Sequence, residues 1–129
     1  MIDTASIIAT LETVAERHGD PAEKVYSRLF QLHPQLERLF VLDRDGGVRA
    51  SMMHTSLECL IGVAERSLAA RNVISAARLH HDGYGVPEGQ FDAMFIAMRD
   101  TFRDMLGEEW TPATDAAWSG LLAEIAAIR

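Results

Sequence analysis

Apolar residues recur at helical spacing along almost the whole chain. Ile7, Ile8, Leu11, Val14 and Ala15 mark one face of a first helix. His18-Gly19-Asp20-Pro21 interrupts it. Asp20 can cap a second helix there, and Pro21 loses nothing at a first helical position, where an amide proton has no partner. That helix carries Val25, Tyr26, Leu29 and Phe30 and ends near His33-Pro34, before a short apolar segment with Leu36, Leu39 and Phe40. A long third helix is expected from near Val48 to about Arg66, with Met53, Leu57, Leu60 and Ala64 as its inward stripe. A weaker helix lies between Val73 and His81, broken by Gly83 and Gly85, with Pro87 just inside the next start. Phe91, Met94, Phe95, Met98, Phe102 and Met105 then form a bulky apolar face that Gly107 ends. Thr111-Pro112 opens a last helix with Trp118, Leu121, Leu122, Ile125 and Ile128 on one side. No stretch alternates as a strand would, and no hairpin signal occurs. The predicted fold class is all-α, with six or seven helices. The breaks between them are short, which favours steep crossings over parallel rods.

Composition narrows the function classes. The 129 residues are 48% hydrophobic and 24% charged, enough apolar material for one packed core; a single domain over 1–129 is expected. A net charge of -7 argues against sequence-independent nucleic-acid binding and against docking on an anionic membrane. Cys59 is the only cysteine, so an internal disulfide or a multi-thiolate zinc site is excluded, and a reducing cytoplasm fits. The first residues lack the basic patch and long apolar run of a secretory signal, and no apolar run approaches the ~20 residues of a membrane span. Asp43-Arg44-Asp45-Gly46 begins like a calcium loop. Gly47 and His54 stand where that template needs a third ligand and a closing acid, so the segment reads as a polar turn.

The histidines carry the remaining chemistry. His18 and His33 sit at helix ends, where a surface or capping role suffices. His81 ends a short helix just before the most apolar one. An imidazole there would face a cavity lined by Phe91, Phe95 and Met98 and present one nitrogen to a metal. The ordinary alternative is a surface or capping histidine. His80 points about 100° away and would not share the site.

The ordered set His81-Asp82-Gly83-Tyr84-Gly85-Val86, Phe91, Leu106-Gly107, Trp110-Thr111-Pro112 and Ala117-Trp118 resembles the back half of a globin. It is similar to the bacterial single-domain haemoglobins and to the haem domain of flavohaemoglobins. Val25-Tyr26-Ser27-Arg28-Leu29-Phe30, His33-Pro34 and Leu39-Phe40 resemble the second and third helices of that family. The likeness runs roughly from residue 5 to 128. It implies a globin-like fold around a haem pocket and haem b (iron protoporphyrin IX) as cofactor.

Roles follow from the resemblance residue by residue. His81 matches the proximal iron ligand, and Phe40 the phenylalanine that wedges against the haem face. Tyr84, Val86, Phe91 and Phe95 fall where the family lines its pocket, with Met53 as the apolar distal residue. Tyr26 matches a distal tyrosine that donates to bound dioxygen; the alternative is a core tyrosine satisfied by a carbonyl. Counting back from His81 gives Arg49 at the bacterial spacing and Met52 near the animal one. Arg49 is then a contact for gas or haem propionate, or a solvated arginine; a methionine sulfur would be a sixth iron ligand. The family's proximal tyrosine is replaced by Phe91, and the sequence ends before its glutamate, which weakens peroxidase-like chemistry.

Three functions are consistent with this set. The first is reversible binding of dioxygen, nitric oxide or carbon monoxide for storage or sensing. The second is a nitric-oxide dioxygenase or peroxidase that needs a separate reductase. The third is a haem-free module that binds a partner. A homodimer through the bulky later helices is compatible with all three.

Overall fold

The computed structural model describes residues 2–129. Seven α-helices make up most of them: α1 (Thr4–His18), α2 (Ala22–Leu32), α3 (Pro34–Glu37), α4 (Gly47–Ala64), α5 (Leu68–Gly83), α6 (Ala93–Leu106) and α7 (Pro112–Ala127). Short 3-10 turns cover Arg38–Phe40, Glu88–Gln90 and Gly107–Glu109, and no strand occurs among the described residues. The all-α fold class expected from periodicity is the one observed.

Local chemistry starts the helices. Asp3 caps α1 by accepting from the Ser6 amide, Ser67 caps α5 at the Ala70 amide, and Thr111 caps α7 at the Thr114 amide with Pro112 in its first turn. The Asp43–Gly47 segment is a capping device. Asp43 accepts from the amides of Val48 and Arg49 at 2.9 and 3.0 Å, and Asp45 accepts from that of Gly47. Gly46 sits at φ 76°, a left-handed conformation that glycine adopts without a Cβ clash.

Two boundaries differ from the apolar pattern. α5 begins at Leu68, five residues before Val73, because its first turn is held by the Ser67 cap rather than by an apolar stripe. Pro87 does not open α6; it precedes the Glu88–Gln90 turn, and α6 starts at Ala93.

The core lies where α1, α6 and α7 meet. Trp118 and Phe102 are fully buried, with rings in edge contact at 5.7 Å. The Trp118 indole donates to the Thr10 hydroxyl at 3.1 Å, and that hydroxyl donates to the Ser6 carbonyl, so these two buried groups satisfy each other; the buried Thr101 hydroxyl on α6 has no partner. On the other side, α4 and α5 are successive helices joined by three residues and packed on each other. They pinch together at Gly62, where an added Cβ would lie 2.4 Å from the Ala70 Cβ. Away from that pinch the two helices border an open cavity.

Candidate functional site

The cavity measures about 730 Å³, within the range of small-molecule and cofactor sites. α4 contributes Val48, Met52, Ser56 and Cys59, and α5 contributes Val73, Ile74, Ala77 and His81. Leu29, Leu36 and Phe40 close one end, and Val86, Phe91, Met94 and Phe95 another. The wall is mostly apolar and, among the described residues, contains no carboxylate.

His81 is the one imidazole on this wall. Its Nδ1 lies 2.7 Å from the Ala77 carbonyl one turn earlier. A carbonyl only accepts, so Nδ1 carries the proton and donates, and in the neutral ring the lone pair then lies on Nε2. The Phe91 ring stands edge-on to the imidazole at 5.3 Å and Tyr84 at 6.4 Å, which fixes the ring plane. An imidazole held in this way is suited to bind a metal through its second nitrogen.

Arg78, three residues before His81, went unnoticed in the sequence. Its guanidinium is buried and lies 4.5 Å over the Phe91 ring. It donates to the Ile125 and Ile128 carbonyls at 2.8 and 2.7 Å and pairs with both carboxylate oxygens of Asp92 at 3.2 and 2.8 Å. It therefore ties α5 to the end of α7 and the start of α6, behind the ring that positions His81. Nothing in the periodicity marks it, since an arginine beside apolar neighbours ordinarily faces water.

The other expected residues divide. Phe40, Tyr84, Val86, Phe91, Phe95 and Met52 line the cavity with His81. Met53 does not; it is buried in the core, turned about 100° along the helix from Met52. Tyr26 and Arg49 are also absent from the wall. The Tyr26 hydroxyl donates to the Arg49 carbonyl at 2.7 Å, and the ring packs against Phe30 and Phe40. Burial holds the Tyr26 phenol far above its ordinary pKa; Asp43 adds to the shift and Arg49 opposes it. Arg49 is committed to the loop: its Nε lies 3.0 Å from Asp43 Oδ2, and an Nη donates to the Asp43 carbonyl. Ser56 and Cys59 went unpredicted, though they follow Met52 at helical spacing and would appear once its phase is known. Burial and the nearby Glu58 push the Cys59 thiol pKa up, so it stays protonated.

The chemistry fits an iron macrocycle. No group of three or more metal-ligating side chains occurs among the described residues, so a bare ion has no cage. One free imidazole on a large apolar wall instead suits a flat apolar group that brings four ligands of its own.

A helical sandwich that presents one oriented imidazole to an apolar cavity is the arrangement of a haem-binding fold. The chain belongs to the globin family, whose sequence model matches residues 23–128. It is 27% identical over 110 residues to the anaerobic nitrite reductase NSHB5 of Oryza sativa subsp. japonica, spanning 82% of this chain and 76% of that protein. The same figures hold for NSHB5 of Oryza sativa subsp. indica. Globins as a family bind diatomic gases through haem. No described helix is long and apolar enough to cross a membrane.

Proposed function

We propose that the protein binds haem b through His81 and takes up dioxygen or another diatomic gas reversibly, for storage or sensing. The observation that carries this reading is the free Nε2 of His81 at the cavity wall, with Nδ1 held by the Ala77 carbonyl. When bound, haem supplies the iron that takes the gas. The chain's own residues orient the ligand, shape the pocket and keep water out. The Ala77 carbonyl holds the imidazole in one tautomer, and Phe91 over Arg78 holds its plane. Phe40, Val86, Phe91 and Phe95 line the pocket and would keep water from the bound group. Ser51, Thr55 and Ser56 place the only hydroxyls on the α4 side of the cavity, and a hydrogen bond from one of them to bound gas is worth about 1 kcal/mol.

The likeness to a nitrite reductase supports a second reading, reduction of a small nitrogen oxide with electrons from a separate donor. It ranks lower because such chemistry consumes protons, and the wall offers no carboxylate or second imidazole to deliver them.

The test is an absorption spectrum of the protein purified with haem supplied, with and without carbon monoxide. A Soret band that shifts with the gas is expected, and His81→Ala is expected to lose it. No band in the parent protein, or an unchanged spectrum in His81→Ala, would overturn the assignment. Anaerobic mixing of the reduced protein with nitrite separates the two readings: multiple turnovers favour the reductase.

A further inference from the structure

We propose that the cleft between α2, α6 and the end of α1 is a second binding site, which takes a small phosphate monoester. It lies apart from the cavity beside His81 and does not depend on the haem reading.

The cleft measures about 530 Å³ and shares no lining residue with that cavity. One face of α2 makes a wall. Lys24, Ser27, Arg28 and Gln31 follow at i, i+3, i+4 and i+7, so four donor-bearing side chains stand in one stripe. α6 contributes Thr101, Asp104 and Met105, and α1 ends in the same cleft at His18. The chain carries a net charge of -7, yet this lining sets two permanent cations against one carboxylate. Lys24 is the only lysine of the chain and makes no ion pair among the described residues. Arg28 pairs with Asp104, but both side chains are partly exposed, and a pair of that kind is held weakly. An oxyanion can therefore take the guanidinium from Asp104 and bridge it to the Lys24 ammonium. His18 is already engaged, with Nε2 3.2 Å from the Met105 carbonyl.

The second observation is the Thr101 hydroxyl. Thr101 lines the cleft and is buried, and its Oγ1 is the one buried side-chain polar atom without a hydrogen-bond partner among the described residues. Such orphans are rare and mark a place where a partner is missing. Asp104 follows it by one turn on the same face of α6, so parting of the Arg28–Asp104 pair would expose the hydroxyl to a ligand. The two cations alone would saturate a carboxylate. A phosphate has a third terminal oxygen for the hydroxyls of Ser27 and Thr101. The rest of the cleft, beside Gln31, Leu32 and Met105, suits a small and partly apolar ester group.

The full chain, purified with and without haem supplied, is titrated with inorganic phosphate, glycerol 3-phosphate and glycerol, and with phosphatidylcholine vesicles containing phosphatidic acid. Calorimetry and amide shifts read the binding. Both free phosphates should bind saturably, the ester more tightly, and glycerol should not. Shifts should fall in α2, α6 and the end of α1 whether or not haem is present. Lys24→Gln should weaken the affinity about fivefold and Thr101→Val about threefold, as expected for one part-exposed ionic and one neutral hydrogen bond. Thr101→Val should keep the parent's thermal midpoint, because Oγ1 has no partner to lose, so a weaker affinity there is not a lost fold. Asp104→Asn should tighten binding about threefold by removing the competing carboxylate, an effect that a purely structural ion pair would not give. Arg38→Gln, at an exposed arginine outside the cleft, should change nothing. Absence of saturable binding overturns the proposal. So does equal weakening by Arg38→Gln and Lys24→Gln, an unchanged affinity in Thr101→Val or in Asp104→Asn, or binding to the vesicles without binding of the free phosphates.

Discussion

Tyr26 shows how a residue's partner, rather than its type, decides its role. Its hydroxyl is satisfied by the Arg49 carbonyl, so the group that would steady a gas is occupied in holding α2 to the start of α4. Tyr26→Phe should lower stability by about 1 kcal/mol, the net worth of one buried hydrogen bond. It should change the dissociation rate of dioxygen less than about threefold. A rise of tenfold or more would return the hydroxyl to the gas site. Asp43 sits at the same junction. Burial works against its charge, yet the Val48 and Arg49 amides and the Arg49 guanidinium prevail and hold its pKa below the usual carboxylate value. A depressed carboxylate contributes its full stability above the unfolded pKa, near 4, and loses it as pH falls through the folded value. The thermal midpoint should therefore drop below about pH 4. Asp43→Asn should start from a lower midpoint at neutral pH and show a shallower acid drop. Parallel profiles for the two proteins would remove Asp43 from the account.

At the level of helices, the cavity depends on where α4 and α5 touch. Gly62 allows that contact, because any Cβ there meets Ala70. Gly62→Val should cost about 1–3 kcal/mol by overpacking, and Ala70→Gly in the same chain should recover part of it. Additive losses in that double-mutant cycle would show that the two positions do not share the clash. Arg78 secures the opposite end. Arg78→Ala leaves Asp92 and two carbonyls without their buried partner, a loss on the order of 3 kcal/mol. The helices themselves were legible because a 3.6-residue period survives in α1, α2 and α6. α4 was harder, since it is apolar towards both the core and the cavity. Adjacent positions differ by about 100°, so only the structure separates Met52 on the wall from Met53 in the core. The first turn of α5 was missed because Leu68 and Ala69 are exposed and only the Ser67 cap announces it.

Across the whole molecule, stability is unevenly distributed between a filled half and an open half. Trp118, Phe102, Ile7, Leu121 and Ile125 are packed without exposure around α1, α6 and α7. The other half surrounds a large apolar cavity, bordered by Leu39, Val48, Val73 and Tyr84, all of them exposed. His81, Phe40 and Val86 were readable in order along the sequence. The cavity was not, because it arises from the splay of two helices whose contact is set by a single glycine. A group that binds only the folded chain stabilises it in proportion to the logarithm of its concentration, about 2.7 kcal/mol at one hundred times its dissociation constant. Added haem should raise the thermal midpoint in that concentration-dependent way. It should also slow amide exchange most in the first turns of α4, the last turns of α5 and the Phe40 segment, where backbone faces the cavity. Amides of α1 and α7 should gain only what the rise in global stability gives. Uniform protection over all seven helices would mean that the chain folds as one unit, with no separately loose pocket.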